Sequence, residues 1–314
     1  MKKNKLCAAV LAAFIGLGIT AGAPCANAAP ADGMEAFRSA YFAKIKENDN
    51  MLARMILYGP SFHADTTFKV ALASNGSFTA SGNLNWVYTN LSIGKTARET
   101  IPLYINCQKD VLSLYGNRGT WLREDFAGAP LWILQAVVTN NIRELADNAE
   151  AVQSVELQQK TPGNHQALRI TLDGRKLADL ARKYSSAQSN VPDDSLQFAE
   201  YLAQGLEQTN PVVSWVVDEK TKETVTAYID LTSVMQKYAQ SLLEGNYQGN
   251  VALDDEDKSF LTTIGYYCNL QLYISHSKTD PLEPVFPKEA KGAVLTGKLL
   301  DDLESEAVAS SLGN

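Results

Sequence analysis

Few residues in this chain have the types and spacings that run chemistry. His63, His165 and His276 are its only histidines and stand far apart. With no HExxH, no CxxC and no second histidine close to any of them, the sequence offers no zinc site. Nor does a serine sit in a G-x-S-x-G elbow. Gly94-Lys95-Thr96 ends like a phosphate-binding loop, but Thr89 stands where that motif needs its first glycine. Asp254-Asp255-Glu256-Asp257 fails as the start of a calcium loop, because Lys258 takes a ligand position and Ser259 the place of the turn glycine. It suits a solvated turn capping the next segment. Acids are too plentiful, 35 against 28 Lys and Arg, for any pair to suggest glycoside chemistry. The expectation is a non-enzymatic protein with no metal and no cofactor.

What the sequence does concentrate is apolar bulk. Leu84, Trp86, Tyr88, Leu103, Ile105, Trp121, Trp215, Tyr266 and Leu270 fall on the inward parity of expected strands, and Trp132 falls on an apolar helix. Ordinary core explains this set. The wall of an apolar cavity between sheet and helices explains it too, and would suit a lipid-like ligand. Only the cavity leaves unfilled volume.

The elements that must position these residues begin with a helix. Met34, Phe37, Tyr41 and Ile45 recur at helical spacing, a second apolar set follows in Met51, Leu52, Met55 and Ile56, and Gly59-Pro60 ends it. From Phe62 the period changes to two. Phe62, Ala64, Thr66, Phe68, Val70 and Leu72 share one parity, and after the hairpin signal Asn75-Gly76 the pattern returns from Phe78 to Tyr88. Ile101 to Cys107, Val111 to Tyr115 and Thr120 to Glu124 continue the meander. Pro130 then opens a strongly apolar helix to Val138, a plug or lid for the sheet.

In the second half, Val152 to Leu157 and Leu168 to Leu172 predict strands, and Asp173 caps a helix carrying Leu177, Leu180 and Ala181. Ser185 to Ser195 is polar and predicts a surface loop, before a helix with Leu196, Phe198, Leu202 and Leu206. Val212 to Val217 and Thr224 to Leu231 flank the charged turn Asp218 to Lys222, and a helix from Thr232 to Leu243 follows. Ile264, Tyr266, Cys268, Leu270, Leu272 and Ile274 predict a last long strand, and the chain then turns proline-rich from Asp280 to Pro287. Hairpin rather than crossover connections argue for α+β: a curved antiparallel β-sheet, a half-barrel, with helices packed on its concave face.

The first residues carry the layout of a secretory signal: Lys2, Lys3 and Lys5, the apolar run Ala8 to Ile19, and the cleavage site Ala26-Asn27-Ala28. Residues 1–28 are thus a signal peptide, 29–290 one α+β domain, built of two meander-plus-helix halves if it divides near residue 150, and 291–314 an acidic, flexible tail. Removing the leader leaves 286 residues and moves the net charge from −7 to −10. So acidic a surface argues against nucleic acid as a partner. No transmembrane segment is expected after cleavage. Cys107 and Cys268 remain, both on apolar parity; export permits a disulfide between them, and burial as two thiols fits equally well.

With leader, first helix, meander and plug helix in that order, the chain resembles the bacterial envelope carriers around LolA, LppX and RseB. The closest local stretch is Val213-Ser214-Trp215-Val216-Val217-Asp218-Glu219-Lys220-Thr221 with its return strand to Ile229-Asp230. The resemblance implies an extracytoplasmic, periplasmic or secreted bacterial protein that binds an apolar or lipid-like ligand, or a lipoprotein, in a cavity between sheet and helices. The other expectation is a filled-core envelope interaction, sensor or regulatory protein with no small-molecule ligand.

Overall fold

The computed structural model describes residues 33–41, 50–72, 77–90, 94–108, 111–127, 150–158, 164–187, 200–201, 203–222, 224–244, 255–276 and 284–296. The leader, the apolar run from Pro130 with Trp132, the turn Asn75-Gly76 and the helix residues Leu196, Phe198 and Leu202 lie outside the described residues.

Helix α1 (Gly33–Tyr41) precedes six strands: β1 (Asn50–Tyr58), β2 (Phe62–Leu72), β3 (Phe78–Asn90), β4 (Lys95–Gln108), β5 (Val111–Asn117) and β6 (Trp121–Ala127). Then come β7 (Val152–Leu157), β8 (His165–Leu172), α2 (Gly174–Ala187), β9 (Val212–Asp218), β10 (Thr224–Asp230), α3 (Thr232–Leu243), α4 (Asp255–Tyr267) and β11 (Asn269–His276). A 3-10 turn at Lys288–Gly292 leads into β12 (Val294–Leu295). All twelve strands form one curved, open sheet in the order β12-β6-β5-β4-β3-β2-β1-β11-β10-β9-β8-β7. Every pairing is antiparallel except β12 against β6.

Registry carries the apolar parity from strand to strand. One row runs Leu168, Trp215, Ala227, Ile274, Ala53, Phe68, Gly82, Leu103, and the next Ile170, Val213, Ile229, Leu272, Met55, Thr66, Leu84, Ile101. This inner face and the helices on it share one core, in which Phe37, Ala178, Ala181, Leu206, Val234, Met235, Tyr238, Leu242, Leu261 and Ile264 meet the strands. Gly82 keeps the row continuous: a Cβ there would lie 2.2 Å from the Thr67 carbonyl oxygen and 3.1 Å from Phe68 Cδ1.

Local chemistry fixes the ends. Asp173 Oδ1 accepts from the amides of Arg175 and Lys176 at 3.0 and 3.2 Å, the N-cap of α2. Asp218 Oδ1 accepts from Lys220 N and Thr221 N at 2.9 and 2.8 Å, and Lys222 takes φ 59°, so the charged turn is closed by its own aspartate. Arg182 on α2 grips Glu200 through two hydrogen bonds of 2.7 and 2.8 Å and also binds Glu207, tying α2 to the helical residues 203–207.

Four expectations change, and the open alternative at the two cysteines closes. Met51, Leu52, Met55 and Ile56 belong to strand β1, not to a helix: β1 is hydrogen-bonded on both sides and apolar on both faces, which erases the alternation that marks a strand. Ser185 to Ala187 continue α2. Ile264 and Tyr266 lie in α4, and β11 starts only at Asn269. The tail beyond Lys291 is ordered as far as Thr296, because Val294 and Leu295 pair with Leu122 and Arg123 and Thr296 N donates to Arg123 O at 2.7 Å. Cys107 and Cys268 are two buried thiols with no disulfide between them, with β3, β2 and β1 intervening between β4 and the start of β11.

Candidate functional site

The inner face is not equally covered along its length. In the β8–β11 half, Leu168, Ile170, Trp215, Leu270, Leu272 and Ile274 are buried under the helices. Trp215, 3 % exposed, meets the edge of Phe37 at 6.1 Å between ring centroids. α3 is pinned to this half by polar bonds: Gln236 Nε2 donates to Cys268 O at 2.9 Å, and the Thr232 hydroxyl accepts from Leu270 N at 3.0 Å. Cys268 is fully enclosed, and burial pushes its thiol up to about 11. In the β2–β5 stretch, Val70, Ala80, Ile105, Leu112 and Leu114 are sealed as well.

Coverage thins near the β7 edge, at Val155, Leu172 and Val213, and at the end of β1, β2 and β3. Met55, Leu57, Phe62 and Trp86 pack against the core but stay half-buried. They surround small Ala64, which is paired with Leu57 on one side and Trp86 on the other. Phe62 and Trp86 stack with centroids 5.4 Å apart and planes 11° apart. Beyond Trp86 the same register row reaches Glu99, whose carboxylate accepts from Arg118 Nε at 3.0 Å and Nη2 at 3.4 Å. The place is therefore an apolar floor with an aromatic wall and a neutralised charge pair at its rim.

Leu84, Trp86, Tyr88, Leu103 and Ile105 do share one face of β3 and β4, with only Trp86 and Tyr88 half-buried. Trp215 and Leu270 lie on that face too, but inside the filled half. Trp121 is on the opposite face, because its partner Asn117 has the outer parity of Tyr115; it packs with Tyr104, Tyr115, Ala290 and Ala293, a small second core made with the C-terminal segment. Tyr266 is 57 % exposed, since the helical turn that buries Leu261 and Ile264 against α3 carries it outward. Trp132 lies outside the described residues. Sequence reasoning missed Met55 and Leu57, hidden in the strand taken for a helix, and passed over Phe62, whose parity already placed it here.

Elsewhere chemistry is sparse. His63 is exposed, and His165 Nε2 lies 4.0 Å from Asp218 Oδ2. Among the described residues no three His, Cys, Asp or Glu side chains gather as metal ligands, and no helix is long and apolar enough to cross a membrane. Gly94-Lys95-Thr96 enters β4 in a hairpin, with Gly94 at φ 66° and Thr96 paired with Thr89.

No protein-family profile and no curated protein matches the sequence. Among solved structures the chain is similar to LprF from Mycobacterium bovis, at 12 % identity and a TM-score of 0.36, over 82 % of this chain and 94 % of that one. This is a weak likeness of overall fold.

Proposed function

We propose that this is an exported, non-enzymatic envelope protein that holds an acyl chain, free or as part of a lipid or lipoprotein, against the inner face at the β1–β3 end. One observation carries the reading: at the β1–β3 end four large apolar side chains, Met55, Leu57, Phe62 and Trp86, gather part-buried around Ala64. Apolar side chains held partly in water gain by taking apolar cover. Each methylene that leaves water contributes about 0.8 kcal/mol, so a chain of modest length binds usefully with no elaborate polar motif. The resemblance to the LolA, LppX and RseB carriers points the same way.

Native mass spectrometry of the purified protein, repeated after denaturation, tests it. The expected result is an extra mass that denaturation removes. A bare mass that stays bare after incubation with mixed lipids overturns the proposal. That outcome favours an envelope interaction module, for which the surface offers Tyr266 and Tyr267, exposed side by side at 57 % and 60 % with ring centroids 6.4 Å apart.

A further inference from the structure

Two polar atoms at the half-covered end have no hydrogen-bond partner. Thr66 has no exposed surface and its hydroxyl is unpaired; Trp86 has a buried, unpaired Nε1 although the residue is only part-buried. They stand on neighbouring strands of the inner face in adjacent rows, Thr66 opposite Leu84 and Trp86 opposite Ala64. Diagonal positions of this kind are about 7–8 Å apart, within reach of large side chains. A buried donor left unsatisfied is costly, and native structures rarely tolerate two close together without a use.

The chemistry of the pair selects its partner. An indole N–H only donates, and a hydroxyl can donate as well, so the group that satisfies both is an acceptor. An anion is a poor fit, because the guanidinium of Arg118 at the rim is already engaged by Glu99. A neutral carbonyl oxygen carries two lone pairs and enters an apolar site without the penalty of a charge. We infer that the ligand carries an ester or amide carbonyl at the head of its acyl chain, and that Trp86 Nε1 and the Thr66 hydroxyl donate to it. The inference rests on the acyl-binding reading above and adds its selectivity: acylated molecules over plain hydrocarbon or ether chains.

The test uses methyl palmitate and hexadecyl methyl ether, which differ only in the carbonyl oxygen, as competitors for 1-anilinonaphthalene-8-sulfonate bound to the purified protein. The ester should displace the probe at about fivefold lower concentration than the ether, the worth of one net hydrogen bond. In Thr66→Val and Trp86→Phe the ratio of ester to ether displacement should shrink towards one; Thr66→Val should do so with the affinity for the ether unchanged, whereas in Trp86→Phe, which also trims the apolar wall, only the ratio is read. Thr66→Val keeps the side-chain shape and removes an unsatisfied hydroxyl, so its melting temperature should equal or exceed that of the wild type. Equal displacement by the two compounds in the wild type, or a preference that survives both substitutions, overturns the inference and leaves acyl binding standing. Displacement by neither compound overturns both.

Discussion

Placing a phenyl ring at two alanines of the same face separates a half-open end from a filled core. Ala80 sits between Val70 and Ile105, and all three have no exposed surface. Ala64 occupies the equivalent position between Leu57 and Trp86, both half-buried. In Ala80→Phe the ring has no room, and overpacking of this kind costs about 1–3 kcal/mol. At about 2–4 °C per kcal/mol for a domain of roughly this size, the melting temperature should fall by several degrees. In Ala64→Phe, although Ala64 itself is only 4 % exposed, the ring meets Leu57 and Trp86, which are part-exposed and have room to give way. Its cost should fall below that of Ala80→Phe, towards the low end of the same range of about 1–3 kcal/mol, and it should abolish lipid retention by occupying the place of the ligand. Thermal melts by circular dichroism and native mass spectrometry on both variants give the answer. If Ala64→Phe is destabilised as much as Ala80→Phe, the β1–β3 end is filled and the reasoning fails.

Arg182→Ala should loosen α2 from the helical residues 203–207 at a cost of about 1 kcal/mol, kept small because Arg182, Glu200 and Glu207 are each more than a third exposed. The Arg182 hydrogen bonds hold the Glu200 carboxyl below its ordinary value of 4.5, so this stabilisation is complete above that range and is lost as pH falls through the lowered value; melts from pH 7 to pH 3 should converge for wild type and variant, and a gap that widens in acid refutes the assignment. With its thiol at about 11 and no exposure, Cys268 should resist alkylation at pH 8 in the folded protein and react on unfolding, and reduction should leave the intact mass unchanged; rapid native labelling would contradict the burial of Cys268.

The sequence was most informative where one face of a strand is wet. β2 and β3 announce themselves because Phe68 and Val70 alternate with Thr67 and Lys69, and hairpin chemistry at Asp218 is local enough to be read directly. β1 was illegible for the opposite reason: with Leu52 and Ile56 on its outer face and Ala53 and Met55 on its inner one, only its neighbours reveal it as a strand. The first six residues of β4, Lys95 to Thr100, have no apolar parity and are extended because β3 pairs with them. The site suffered from both effects. Trp86 and Tyr88 were visible in the alternation, Met55 and Leu57 were lost with β1, and nothing in a parity count separates a sealed residue such as Trp215 from a half-covered one such as Trp86. That difference depends on where helices from distant parts of the chain come to rest.

The place of β11 has a consequence for the order of events at synthesis. β1 to β6 form one run of neighbours and β7 to β10 another, and the two runs join only when β11 slides between β1 and β10, pairing Met51 with His276 and Asp230 with Gln271. Until residue 276 has emerged, the chain can hold no more than two part-sheets, each with a bare apolar edge. Contacts of such long sequence separation form late and slowly. Until then the unfinished edges of β1 and β10 are the surfaces most exposed to wrong pairing, and closing them is the step that commits the protein to its fold.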